Sequence, residues 1–222
     1  AGAITADGRN VEMRQNQSDY SDEWILYGKR DYTLMYIGYQ PGDPLMPAIL
    51  NSVEDALNYA GMEGYAFTEL SKYELMVYLS SCRIFSCITH GEQSSILTSN
   101  GNLSVSDISS LDSKAFDGIE FAYLGACLTG YGRGTAENLV NSIHDKGADT
   151  VLGFSVSVYV NETNFWTEKF MQSLATGKTI EEAMEYADDA IYNDSVLGGK
   201  GLYTVGEASR YIVGSTSIAP CD

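Results

Sequence analysis

Short runs rich in aromatic and β-branched residues recur along this chain, and between most of them lie stretches with helical periodicity. The runs are YTLMYIGY (32–39), YAFTEL (65–70), IFSCIT (84–89), IEFAYLG (119–125) and TVLGFSVSV (150–158). Ile49, Val53, Leu57 and Ala60 follow the first at helical spacing. A capping box of Ser71 and Glu74 opens a helix over 72–79 after the second. A helix from Thr135, with Leu139, Val140 and Ile143 on one face, follows the fourth run. Helices over 165–174 and, behind a Thr179/Glu182 box, over 180–191 follow the fifth, and GLYTV (201–205) with RYIV (210–213) supply a last strand. Only between Gly91 and Gly118 does the alternation lapse. There SSILT and NLSV flank Asn100-Gly101, a type I′ hairpin signal, before a polar, turn-rich 106–118. Strands joined through helices need right-handed crossovers, so the pattern predicts an α/β sandwich: a mostly parallel sheet of about six strands with helices on both faces.

At 222 residues, 44% of them hydrophobic, the chain can bury one full core. It divides into a polar lead-in over 1–31, a folded domain over 32–215 and a short tail over 216–222. Thirteen basic against thirty acidic residues give a net charge of −17, the wrong sign for nucleic acid or an anionic membrane surface. The longest apolar runs fall short of a membrane span. No signal peptide is visible at Ala1, and a start at AGAITADGRN suits a mature form or a piece of a longer chain alike. Cys82, Cys87, Cys127 and Cys221 form no CxxC, which argues against a zinc ribbon or a disulfide scaffold.

In a doubly wound sheet the working crevice lies beyond the carboxyl ends of the strands. Two strand ends there carry chemistry. The third run closes on Thr89-His90-Gly91 and the fourth on Gly125-Ala126-Cys127. If these strands are neighbours, about 4.8 Å apart, His90 and Cys127 project into one crevice. A thiol needs help with its proton and a departing amine needs a donor, and one imidazole supplies both. Gly91 lets the backbone approach closely and offers an amide for a developing oxyanion, with the Cys127 amide as a second donor. Elsewhere, His144 lies near a helix C-terminus and reads as structural. Cys82 and Cys87 read as packing residues. GYGRG (130–134) lacks the Lys-Ser/Thr of a phosphate loop and reads as a loop beside the nucleophile.

The pair IFSCITHG and FAYLGAC resembles the signature of the caspase-like clan CD cysteine peptidases, among them caspases, gingipains, clostripain, legumain, separase and the CHAT-domain proteases. The Leu-Thr-Gly after Cys127, KGADTVLG (146–153) and FMQSLATGKTIEEAMEYA (170–187) are similar to clostripain-like or CHAT bacterial members. The resemblance spans roughly 32–213, with its two halves 127 − 90 = 37 positions apart. It implies a caspase-like three-layer sandwich, His90 as catalytic histidine, Cys127 as nucleophile, and an oxyanion hole from the Gly91 and Cys127 amides. It implies a protein or peptide substrate and no required cofactor, and leaves room for calcium. Metacaspases and legumain carry an acidic residue two before the cysteine, where this chain has Gly125. In the family, the specificity pocket draws on the loop after the first strand and the segment after the fifth, which here offer Asp43, Ser155, Ser157 and Glu162. Carboxylates there favour Arg or Lys. Arg133 and Lys146 are candidate self-cleavage positions. The rival reading is a catalytically silent α/β binding or scaffold module; a flavodoxin-like ligand binder is a third. The sequence leaves oligomeric state open, and favours a secreted or cell-surface bacterial setting over the cytoplasm.

Overall fold

The computed structural model describes residues 3–4, 10–11, 30–37, 45–132, 134–135, 137–191 and 201–212. Two short antiparallel strands, β1 (Ala3–Ile4) and β2 (Asn10–Val11), precede the main body. From there the order is β3 (Arg30–Tyr36), α1 (Leu45–Tyr59), β4 (Gly64–Phe67), α2 (Lys72–Leu79) and β5 (Cys82–Ile88). An excursion follows: β6 (Gly91–Glu92), β7 (Ser95–Thr98), β8 (Gly101–Ser104) and the short α3 (Val105–Ser109). The chain returns through β9 (Phe121–Gly125), α4 (Leu139–His144), β10 (Val151–Phe154), α5 (Val160–Ala175), α6 (Ile180–Ala190) and β11 (Leu202–Val205).

The main sheet has the order β11-β10-β9-β5-β3-β4, parallel except for β11, which pairs antiparallel with β10. This is the expected six-stranded, mostly parallel α/β sandwich. Its central strands are apolar on both faces because both faces are covered. On β9, Phe121 and Tyr123 enter a core shared with Leu50 of α1, Trp166 of α5 and Ala183 of α6. Ala122 and Leu124 alternate into a second core with Leu75 of α2, Ile108 of α3 and Val140 of α4. At the far end of the sheet Arg83 ties the strands together, its Nε and Nη2 donating to the Glu120 carboxylate at 2.9 and 3.0 Å and Nη1 to Asp31 at 2.9 Å.

Several boundaries differ from the sequence reading, each for a local reason. The fifth strand stops at Phe154, because Ser155 to Val158 turn aside to meet Gly201, Leu128 and Cys127. α4 begins at Leu139, not Thr135: Asn138 caps it, accepting from Asn141 N at 2.8 Å, and the preceding Gly132 and Gly134 hold positive φ of 72° and 77°. α5 starts five residues before the expected Phe165. The hairpin turns on Ser99-Asn100, with Thr98 opposite Gly101, so Gly101 at φ 146° is the glycine after the turn and Asn100 Oδ1 is used to accept from Lys72 N at 2.9 Å. Segment 106–118 contains part of α3, opened by a Ser104/Asp107 capping box. Tyr211 makes a single bridge to Thr179 rather than a strand of the sheet.

The expected capping boxes at Ser71/Glu74 and Thr179/Glu182 are both formed. The Ser71 hydroxyl and amide hold the Glu74 carboxyl below its ordinary range, and the Thr179 amide does the same for Glu182. A carboxyl lowered on folding contributes stability that is present at neutral pH and is lost as pH falls through the folded value. The double variant Glu74→Gln/Glu182→Gln should therefore be less stable than wild type at pH 7 and approach it below roughly pH 4, as read by urea midpoints across pH. Parallel curves at all pH values would contradict this.

Candidate functional site

The register of β5 and β9 builds the site. Ile88 stands opposite Gly125, the last matched pair of the two strands, and Thr89 N donates to Gly125 O at 3.3 Å. His90 and Cys127 therefore lie at equivalent positions, each two residues beyond that pair, at the carboxyl ends of adjacent parallel strands. His90 is exposed and Cys127 half-buried. Gly91 begins β6 directly after His90. A Cβ there would stand 2.7 Å from the Ala126 Cβ and 3.1 Å from Cys127 O, so only glycine allows the two strand ends to meet so closely. Leu97 N donates to His90 O at 2.9 Å, which makes Gly91 and Ile96 the non-hydrogen-bonded pair of β6 and β7 and leaves the Gly91 amide out of that ladder.

The turn that carries Cys127 is fixed at every step. Ala126 N reaches back to Leu124 O at 2.9 Å, and Leu128 holds a left-handed φ of 61°, the one non-glycine residue with positive φ among the described residues. Such a conformation persists where the surroundings determine it. Here they do: Leu128 N donates to Val156 O at 3.1 Å and Gly130 N to Phe154 O at 2.9 Å. Thr129 lies beneath the turn, fully buried. Its hydroxyl faces Ala126 O at 3.2 Å and Leu124 O at 3.4 Å and accepts from Phe154 N at 3.3 Å. Gly153 makes room for it, since a Cβ there would stand 2.5 Å from Thr129 Oγ1.

The sulfur of Cys127 meets the backbone of Val158 on both sides of its Cα: Val158 N donates to Sγ at 3.4 Å, and Sγ donates to Val158 O at 3.6 Å. The segment between β10 and α5 is thereby placed against the thiol. Ser155 and Ser157 belong to it. Ser157 is exposed, whereas Ser155 is engaged with Gly201 O through its amide at 2.6 Å and its hydroxyl at 3.2 Å. Glu162 stands half-buried in the first turn of α5, four residues past Val158. Asp43, Arg133 and Cys221 lie outside the described residues. Lys146 is fastened down, its amine donating to Ser109 O at 3.1 Å and Leu111 O at 2.5 Å.

Gly125 explains the missing acid. A side chain there would meet Cys87 O at 2.6 Å and the Tyr123 hydroxyl at 3.0 Å. Tyr123 is held in turn by Thr167, with the two hydroxyls 2.8 Å apart. Sequence reading missed Thr129, Val158 and Asn164. The Asn164 carboxamide is buried with neither polar atom hydrogen-bonded. It lies four residues before Glu168, which accepts from Ser52 of α1 at 2.7 Å, so it shares the α1-facing side of α5 one turn nearer the crevice. Among the described residues no group of three or more His, Cys, Asp or Glu side chains is placed to hold a metal ion, and no helix is long and apolar enough to cross a membrane.

Cys82 and Cys87 are fully buried, and burial pushes the Cys87 thiol up to about 12. At pH 8 its thiolate fraction is on the order of one in ten thousand. Iodoacetamide on the native chain should therefore modify Cys127 at least about 100-fold faster than Cys82 or Cys87, as read by peptide mapping. Comparable rates at all three would show that the Cys127 turn is not built as described.

Comparison with known proteins agrees with this architecture. A CHAT domain family model matches residues 55–198, well over half the chain. A search of curated proteins by sequence found no match. Among solved structures, the fold is similar to the Arg-specific cysteine proteinase gingipain R, with a TM-score of 0.63 and 11% identity over 83% of this chain and 48% of that one. It is similar to caspase-1 from Spodoptera frugiperda, with a TM-score of 0.52 and 11% identity over 93% of this chain and 99% of that one. A Saccharomyces cerevisiae separase–securin complex gives 0.53 at 13% identity, over 80% of this chain and 12% of the other. The chain spans about half the length of the gingipain chain it resembles. It belongs to the CHAT domain family and has the caspase-like fold of the clan CD cysteine peptidases.

Proposed function

We propose that the chain is a cysteine endopeptidase working through Cys127 and His90. The observation that carries this reading is the pairing of Ile88 with Gly125, which sets the two residues at matched positions past adjacent strand ends. In the reaction, Cys127 passes its thiol proton to His90 and its sulfur attacks the carbonyl carbon of a peptide bond, whose oxygen takes up negative charge. The Gly91 and Cys127 amides receive that charge as the oxyanion hole. His90 gives a proton to the departing amine, leaving an acyl thioester. Water then attacks the thioester, giving up a proton to His90; the C–S bond breaks, the acyl group leaves as the carboxyl product, and His90 returns the proton to the departing sulfur.

The preferred residue before the scissile bond is Arg or Lys. The net charge of −17 draws basic segments toward the protein; Ser157 stands on the segment that also touches the Cys127 sulfur, and Glu162 in the first turn of the helix that follows it. Asp43, between β3 and α1 in the sequence, and Ser155 complete the set assigned to this pocket. The substrate is a protein or peptide. No cofactor enters the chemistry, and calcium, if it acts, does so by ordering the protein.

Fluorogenic peptides ending in Arg, Lys, Asn, Asp or Leu, assayed with and without calcium, test the reading. Arg and Lys peptides should be turned over and the others left, with turnover abolished in Cys127→Ala and reduced at least about 100-fold in His90→Ala. Cleavage after Asp with Arg and Lys peptides inert would overturn the specificity. Turnover that survives Cys127→Ala would overturn the mechanism.

A further inference from the structure

The loop that follows Cys127 is clamped by a tyrosine from the edge strand β11. Tyr203 lies on β11, opposite Gly153 of β10. Its ring packs against Gly130, three residues past Cys127, where a Cβ would come within 2.6 Å of the ring. Its hydroxyl accepts from Gly134 N at 3.0 Å and donates to Asn141 Oδ1 at 2.9 Å. Asn141 Nδ2 donates to Thr135 O at 2.6 Å, which fixes the orientation of the amide and so the direction of the tyrosine proton. Thr135 closes the loop on itself, its hydroxyl donating to Gly132 O at 2.7 Å. On the other flank Leu139 N donates to Gln93 O at 3.2 Å, joining the loop's end to the β6–β7 turn that follows Gly91. Both strand ends of the crevice are thus braced through one polar network.

We infer that Tyr203 is a positioning residue for Cys127: its ring against Gly130 and its hydroxyl between Gly134 and Asn141 set the loop that follows the nucleophile. This inference rests on the peptidase reading above.

Tyr203→Phe keeps the ring against Gly130 and removes only the hydroxyl. The variant should melt within a few degrees of wild type. Its Cys127 should alkylate with iodoacetamide about fivefold to tenfold more slowly, and trypsin should cut between residues 133 and 134 about tenfold faster. For peptide turnover the loss should fall on kcat, with KM little changed. Alkylation and tryptic rates in Tyr203→Phe equal to those of wild type would overturn the inference. Absence of any Cys127-dependent turnover in wild type would instead remove the peptidase reading, while the tryptic comparison still judges the clamp.

Discussion

Everything at the crevice depends on how β5 pairs with β9. The two strands are separated in sequence by a three-stranded excursion and a short helix, and they find each other because both are apolar on both faces. Phe85 and Cys87 of β5 enter the same core as Ala122 and Leu124 of β9, while Ile84 and Ile88 share the opposite core with Phe121 and Tyr123. Side chains alternate strictly along a strand, so a slip of one residue would turn every one of them to the wrong face. Two cores therefore hold the register more firmly than one could. The same register sets His90 and Cys127 at equal distance past the last pair.

Close backbone approach does the rest. At Gly91, Gly125 and Gly153 a Cβ would come within 2.7 Å of a neighbouring atom: the Ala126 side chain, the Cys87 carbonyl and the Thr129 hydroxyl, respectively. These contacts draw the two strand ends together and seat Thr129 under the turn. With the turn tied down by Thr129, Val156 and Phe154, Leu128 holds its left-handed backbone. Rigidity of this kind holds the Cys127 side chain at a fixed place beside the strand ends.

Much of this was legible in the sequence because it is written in local signals. Alternating strand and helix patterns, the two capping boxes and the strand-ending Thr-His-Gly and Gly-Ala-Cys give the sheet and point to its working edge. What escaped was set by contacts between distant segments. TVLGFSVSV reads as nine residues of strand, but only Val151–Phe154 pair; the rest is drawn away by Leu128 and Cys127. Thr135 looks like a helix start until Asn138 takes the cap. Tyr203 reads as one more strand residue, and nothing near it in sequence announces Gly134 or Asn141. Asn164 is visible only as a buried amide whose two polar atoms find no partner.

If Cys127 and His90 act on the same carbonyl, an activated ester of an arginine peptide should acylate the chain at one place, as read by intact mass and peptide mapping at short times. A single acyl group on Cys127 is expected, forming quickly and released slowly in wild type, with release markedly slower in His90→Ala. Acyl groups on other residues, or formation and release rates unchanged by His90→Ala, would rule the shared role out.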